Sequence, residues 1–413
     1  MMKMIFVVIF IIFNCGLSFG KNSTELDTII FANVLFRHGD RTPLDPYPND
    51  PYNNETLWPV PFGQLTNLGK HEHLMLGRWL RKRYDHLLPK HYSLYDIYVE
   101  STDVDRTLMS AEANLAGLYT PIDDQVWDPL KWMPIPVHTV PEKNDYMLAG
   151  KKHCQRYNYE KKKLLKSNEF TKLMEQNKKL LDYLTQMTGR KINTLDQVEY
   201  IYNTLYIESL YNFTLPEWTK TIYPDGIKRL AELSFAIPAY NKILARLKIG
   251  TLIGQMTNNM VLKSQKKLLP DRKVWIYSAH DDTLANFLMG LNLFDFHCPP
   301  YAATVLVELR INKQSQYSVT ISYKNSTNEP TFLTLPGCTS NCPLDRFVEL
   351  TKDLVPDDWH AECNESAGPG ENFREIITSA YIISLMGFVF SSIIIYLYVK
   401  KRSHQYYTRL GKY

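Results

Sequence analysis

The sequence predicts an α/β fold: a central, mostly parallel sheet flanked by helices, with an all-helical insertion and a single transmembrane helix near the carboxyl end. Three observations carry the sheet. Apolar runs at 29–36, 97–99 and 274–279 read as buried strands, because strands covered on both faces lose the alternation of polar and apolar residues. Each run breaks into a polar loop. Helical spacing then resumes after two of them, with Leu108, Ala111, Leu115 and Leu118 after the second and residues 284–291 after the third. Strands of a parallel sheet deliver ligand-binding loops at their carboxyl ends, so the three loops are expected side by side.

The first loop is Arg37-His38-Gly39-Asp40-Arg41-Thr42-Pro43. Two guanidiniums offer planar forks that suit phosphate oxygens and stay charged at any biological pH. A histidine between them is favoured in its neutral form, which leaves a ring nitrogen free to attack. Gly39 allows close backbone approach and Pro43 stiffens the exit. In the second loop, Ser101, Thr102 and Asp103 are good helix N-caps, which puts Arg106 in the first turn of a helix. A cation there opposes the helix dipole, which suggests a ligand as its reason. The third loop carries His280 and Asp281. Taken singly, the first loop also suits surface ion pairs, and the third simple N-capping.

Together the segments resemble the histidine acid phosphatases, of the lysosomal and prostatic type. The resemblance runs from about residue 28 to 363, through RHGDRTP at 37–43, FGQLTNLG at 62–69, STDVDRTLMSA at 101–111, NFTLPEW at 212–218, YSAHDDT at 277–283 and LPGCTSNCPLDRF at 335–347. It implies a phosphoglycerate-mutase-like sheet under a helical cap, and hydrolysis of phosphate monoesters at acidic pH. His38 would be the nucleophile, Arg37, Arg41, Arg106 and His280 would hold the phosphate, and Asp281 would be the general acid. An acid optimum follows if Asp281 must be protonated first. Asp282 departs from the family, which often has Thr there; an extra carboxylate would weaken binding of highly charged phosphates or raise the proton affinity of Asp281. The alternatives are a narrower phosphatase for inositol phosphates, lipid phosphates or nucleotides, and an idle membrane glycoprotein acting in binding or adhesion. Relatives of this type are often homodimers.

No metal or cofactor is expected. His71-Glu72-His73 lacks the i,i+4 histidine spacing of a helical metal site. Its neighbours Leu68, Leu74, Leu76 and Trp79 make an amphipathic helix with these histidines towards solvent. Neither a GxxxxGK[ST] loop nor paired CxxC motifs occur.

The ends bear on location. Lys3, the apolar stretch 5–13 and Ser18-Phe19-Gly20 read as a secretory signal peptide, 1–20. Residues 376–399 carry no charge and are followed by Lys400-Lys401-Arg402, the pattern of a type I single-pass span with a cytoplasmic tail, 400–413. Tyr407-Thr408-Arg409-Leu410 resembles an endocytic and lysosomal sorting signal, so the destination is lysosome or cell surface. The formal charge of +4 becomes −2, with 41 basic against 43 acidic side chains, once Lys3 and the five basic residues from 400 onward are set aside. A domain of that balance has no nucleic-acid footprint and attracts its anion locally.

Six cysteines suit an oxidising lumen. Cys15 leaves with the signal peptide, and Cys338 and Cys342, close together in a Gly/Pro-rich loop, are expected to pair. The resemblance implies a long-range Cys154–Cys363 bridge. It also implies loss of a third bridge, whose positions hold Ile207 and Thr304, leaving Cys298 as a buried free thiol. Glycosylation sequons at Asn22, Asn54, Asn212, Asn325 and Asn364 all precede the span.

The mature domain, 21–363, divides into an α/β body, about 25–145 and 270–345, and a helical cap, about 146–269, that shapes substrate access by resemblance. The Lys- and Leu-rich stretch 159–183 reads as a solvated helical face, and 255–267 as the cap's last helix. Residues 364–375, with Gly368-Pro369-Gly370, read as a flexible stalk.

Overall fold

The structure, a computed structural model, describes residues 27–326 and 328–364, with positions 381, 384–387, 389–394, 396 and 400. The signal peptide, Asn22, the stalk beyond Asn364 and the tail bearing Tyr407 lie outside the described residues. The described positions within 376–399 are helical and exposed. Among the described residues no helix is long and apolar enough to cross a membrane.

The first half of the chain supplies β1 (Thr28–Arg37), α1 (Asn67–Arg83), β2 (Ile97–Thr102), α2 (Asp105–Leu118) and β3 (His138–Val140). Seven helices follow: α3 (Gln155–Leu165), α4 (Asn168–Gln176), α5 (Lys178–Thr188), α6 (Leu195–Leu210), α7 (Asp225–Ala236), α8 (Lys242–Lys248) and α9 (Gly250–Ser264). The chain then returns to the sheet with β4 (Val274–Ala279), α10 (Asp281–Gly290), β5 (Thr304–Ile311), β6 (Tyr317–Lys324), β7 (Thr331–Leu333) and β8 (Cys342–Pro343). It closes with α11 (Leu344–Thr351) and α12 (Trp359–Asn364).

The strand order is β3-β2-β4-β1-β5-β6-β7, with β8 beside β6. The four strands up to β1 are parallel. From β5 onward every pairing is antiparallel, so the sheet is mixed rather than mostly parallel. The reason is local. Asn312 Oδ1 accepts from the Gln314 and Gln316 amides at 2.9 Å each, closing a tight β5–β6 hairpin with no room for a crossover.

Register fixes the site. Arg37 pairs with Ala279 and Phe36 with Ser278, while Ser101 also pairs with Ser278. The ends of β1, β2 and β4 are therefore level, and the three polar loops leave the sheet together. β1 is buried on both faces because Ala32, Val34 and Phe36 meet α1 and α2, whereas Phe31 and Leu35 meet α9, α10 and α11. Helix α9 begins earlier than the sequence suggested and seats Leu252, Ile253, Met256 and Met260 in the core beneath the sheet. It belongs to the body by packing, although chain order placed it with the cap.

A separate apolar cluster, with Phe170, Leu184, Val198, Leu205 and Ile227, holds the helices before it together. Helices α3 and α4 and the start of α5 cover the stretch read as a solvated face; Phe170 and Leu181 nonetheless turn inward. Cys154 is bonded to Cys363, and Cys338 to Cys342; Cys298 is free and half-buried. Asn54, Asn212, Asn325 and Asn364 are all exposed.

One buried contact in the helical region has no cation. The Glu208 carboxyl of α6 lies beside that of Asp50, in the loop after β1, with Glu208 fully and Asp50 nearly buried and both Glu208 oxygens without a hydrogen-bond partner. Burial first, then the neighbouring carboxyl, pushes Glu208 up; burial pushes Asp50 up as well. Glu208 thus holds a proton. A carboxyl whose folded pKa is raised stabilises the fold below its unfolded value of about 4.3 and loses that contribution as pH rises towards the folded value. The melting temperature should fall between about pH 5 and about pH 8. Glu208→Gln should flatten that slope, which thermal denaturation across the range will measure.

Candidate active site

Strand register brings His38, Arg106 and His280 to one edge of the sheet, and the backbone then aims them. The His38 amide donates to the Ala279 carbonyl at 3.0 Å, tying the first loop to the third. His38 Nδ1 lies 2.8 Å from the Gly39 carbonyl. A carbonyl only accepts, so Nδ1 carries the proton and Nε2 keeps its lone pair. Nε2 has no protein partner among the described residues. Burial first, then Arg106, Arg37, His280 and Arg41, hold the imidazole well below its ordinary pKa. The ring is neutral, with one defined tautomer, inside a cluster of cations.

The guanidiniums are placed by carbonyls and one amide. Arg37 donates to the Pro299 carbonyl and stacks over Tyr301, with its central carbon 4.2 Å from the ring centroid. Arg41 donates to the Thr42 carbonyl and to Asn203 Oδ1, each at 3.0 Å. Arg106 reaches His280 Nδ1 at 3.4 Å. The Nε atoms of all three are buried without partners. Packing three such groups leaves Arg106 with its pKa lowered to about 10, by burial first and then Arg41. Such clustering is unfavourable without an anion, so the arrangement is built for one.

His280 is oriented from behind. A guanidinium only donates, so Nδ1 accepts from Arg106 and Nε2–H donates to Thr102 Oγ1 at 3.0 Å. Thr102 Oγ1 in turn lies 2.8 Å from Thr107 Oγ1, which donates to the Val104 carbonyl at 2.7 Å. Thr102 therefore ends β2 rather than capping α2. The N-cap of α2 is Val104, without a side-chain bond, so the sequence placed the cap one to three residues early. Arg106 still falls in the first turn, as read.

Asp281 is ion-paired with Arg37 at 2.8 Å and accepts from the Asp282 amide at 2.9 Å. Burial pushes its carboxyl up, but Arg37, Arg41 and His280 outweigh that, and the net shift is downward. In the ligand-free site Asp281 is ionised.

Several supporting residues escaped the sequence reading. His73 is not at the surface: it is fully buried, and Nε2 donates to the Arg37 carbonyl at 3.0 Å. Burial lowers its pKa to about 4. The buried face of α1 is Gly69, His73, Leu76, Gly77 and Leu80, whereas Leu68, counted as apolar face, is exposed. Sequence hydropathy missed it because the face is built for backbone approach. A Cβ on Gly39 would sit 2.3 Å from the Gly69 carbonyl oxygen, and one on Gly69 2.3 Å from the Asp40 carbonyl oxygen. Glu72 accepts from the Asp40 amide at 2.8 Å. Asp40 accepts from Thr66 at 2.5 Å and Tyr211 at 2.9 Å. These bonds clamp the first loop between α1 and the chain following α6.

Glu199 of α6 borders Arg37 and Asp281, and burial first, then Asp281, raises it to about 8. No motif marks it. Two cavities meet at Glu199 and Asp281. One of about 350 Å³ contains His38, Arg41, Arg106 and His280. The other, about 540 Å³, runs past Arg37, Tyr202 and Tyr206 to half-buried Cys298, whose thiol burial pushes up to about 12 and so leaves unreactive.

A neutral, aimed imidazole ringed by guanidiniums at the end of a mixed α/β sheet defines a histidine phosphatase. Residues 28–324 match the family model described as histidine phosphatase superfamily (branch 2), and the chain belongs to that family. Prostatic acid phosphatase from Rattus norvegicus is 41% identical over 341 residues, covering 81% of this chain and 88% of that protein. Lysosomal acid phosphatase from Homo sapiens is 39% identical over 354 residues, covering 84% and 83%. The solved structure of the phytase from Citrobacter braakii shares the fold, with a TM-score of 0.61 at 15% identity over 82% of this chain and all of that one.

Gly69→Ala tests the clamp from outside the phosphate site. The new Cβ must displace the backbone of Asp40, beside His38. We expect kcat/KM to fall about 100-fold, as for roughly ångström misplacement of reacting groups, and the melting temperature to drop with it; steady-state kinetics on the folded variant will check this.

Proposed function

We propose that this chain is an acid phosphatase that hydrolyses phosphate monoesters through a covalent phosphohistidine. The observation that carries the reading is the His38 tautomer: its proton is fixed on Nδ1 by the Gly39 carbonyl, which leaves Nε2 nucleophilic amid Arg37, Arg41 and Arg106. Names of relatives agree, since the prostatic and lysosomal proteins are acid phosphatases.

In the first step Nε2 attacks phosphorus and the P–O bond to the leaving group breaks. The three guanidiniums hold the equatorial oxygens and offset their charge; His280, whose Nε2–H is taken by Thr102, joins them once acidic pH or the bound anion puts a proton on Nδ1. Asp281 gives a proton to the departing oxygen. In the second step water attacks the phosphohistidine while Asp281 takes back a proton, releasing inorganic phosphate.

This scheme asks Asp281 to be protonated, whereas Arg37 ionises it in the free site. The substrate resolves the conflict. A bound phosphate competes for Arg37, which withdraws the cation from Asp281 and puts an anion beside it, and both changes raise its pKa. The acid is therefore formed in the complex, and acidic pH favours it.

For location, the reading is a type I glycoprotein with the catalytic domain lumenal, 376–399 spanning the membrane and Tyr407 in the tail as a lysosomal sorting residue. The uncharged stretch beside Lys400, Lys401 and Arg402 supports it.

Two variants test the chemistry. His38→Ala should lower turnover on the order of 10³-fold and abolish a rapid-quench phosphoenzyme. Asp281→Asn should cost about 10²–10⁴-fold with alkyl phosphates, whose leaving oxygen needs the proton. It should cost far less with para-nitrophenyl phosphate, whose leaving group does not. Equal losses for both substrates would remove Asp281 as the acid.

A further inference from the structure

The cavity that holds His38 is lined by two sets of cations: Arg41, Arg106 and His280, assigned to the scissile phosphate, and Lys151, Lys161 and Lys248 from the helical region. The reaction gives those lysines no role. Lys161 is within 4.0 Å of Asp196. Lys248 is largely buried, and its amine donates to the carbonyls of Gly150 at 3.1 Å and Ala149 at 3.5 Å. No carboxylate is recorded within ion-pair distance of it among the described residues. A buried ammonium with two neutral acceptors retains a donor, and it lies beside further cations: burial first, with Lys151 and Lys161 opposing Asp282 and Asp145, pushes its pKa down.

The carboxylates of the cavity do not cancel this charge. Asp281 is taken by Arg37, Asp196 lies beside Lys161, and Glu199 is held protonated by burial. Asp282 remains, within electrostatic reach of both Lys248 and His280, with Glu142 at the rim. The departure at Asp282 thus finds a physical counterpart in Lys248.

Building on the phosphatase reading, we propose that Lys248, with Lys151 beside it, forms a second anion subsite for a carboxylate or phosphate carried by the leaving group, and that Asp282 attenuates it. The preferred substrates are monoesters whose alcohol or phenol bears a second anionic group within reach across the cavity. The Lys248 ammonium donates its remaining N–H to that group, and Asp282 limits how strongly a polyanionic product is retained.

The test is a ratio of kcat/KM values in the whole chain: para-carboxyphenyl phosphate, or hydroquinone bisphosphate, over phenyl phosphate. Taking each ratio relative to wild type removes leaving-group electronics. Lys248→Met, which keeps an apolar stem at the buried position, should lower the ratio about tenfold, as expected for loss of one hydrogen bond to a charged group. Asp282→Asn should raise it, chiefly through KM, and exposed Lys151→Met should lower it by less. A drop with the bisphosphate alone narrows the second group to phosphate; a drop with both assigns a general anion site. Phenyl phosphate turnover checks the parent reading by itself. A wild type inert towards it removes that reading and the subsite with it. An active wild type, with ratios unmoved by Lys248→Met, or by Asp282→Asn and Lys151→Met where Lys248→Met does not fold, overturns the subsite alone.

Discussion

Everything at this site depends on keeping one imidazole neutral and aimed among three guanidiniums. The cations do part of the work themselves, since protonating His38 beside Arg37, Arg41 and Arg106 would add a fourth positive charge to a buried space. The Gly39 carbonyl does the rest by holding the proton on Nδ1. Neither effect survives a shift of the first loop. That is why so much of the surrounding structure grips the backbone of 37–41: His73 on the Arg37 carbonyl, Ala279 on the His38 amide, Ser110 on the Gly39 amide, Glu72 on the Asp40 amide. Each of these partners belongs to the sheet or to a helix packed on it, so His38 inherits the rigidity of the core.

The same constraint governs the carboxyls. Arg37 holds Asp281 ionised despite its burial. Glu199, without such a partner, stays protonated, and Glu72, whose bond is to an amide, is raised to about 7. Farther away, burial and the neighbouring Asp50 carboxyl raise Glu208 as well. Each of these raised acids stabilises the fold where it is protonated, whereas Glu308 and Glu362, held low by Arg83 and Arg246, stabilise it where they are ionised.

The parts of this arrangement that the sequence discloses are those written in local patterns. Strands β1 and β4 are unbroken apolar runs, and their loops carry His38, Arg41, His280 and Asp281 where the chain leaves the sheet. Arg106 was legible because a cation in a first helical turn contradicts the dipole. What stayed hidden depends on partners distant in sequence. His73 looked like a surface residue because its helix face is lined by glycines, which hydropathy does not score as buried, and its hydrogen-bond partner is a carbonyl 36 residues away. Glu199, Lys248 and Glu208 sit in helices whose charges resemble any solvated face. Only the packing of α6 and α8 against the body turns them inward. Helix α9 was assigned to the wrong unit for a related reason: chain order puts it after the cap helices, but its apolar stripe matches the underside of the sheet.

In the reaction we propose, the position of Arg37 would let one carboxyl serve both halves. The guanidinium proposed to grip the phosphate is the one that ionises Asp281. In the free site the pair is self-neutralising, which reduces the cost of burying both charges. Phosphate taking the guanidinium would leave the carboxyl without its cation, and so make it an acid when the leaving oxygen needs a proton. Departure of inorganic phosphate would let the pair reform and release the proton. On this proposal, binding, proton affinity and turnover are coupled through one ion pair at the junction of the two cavities.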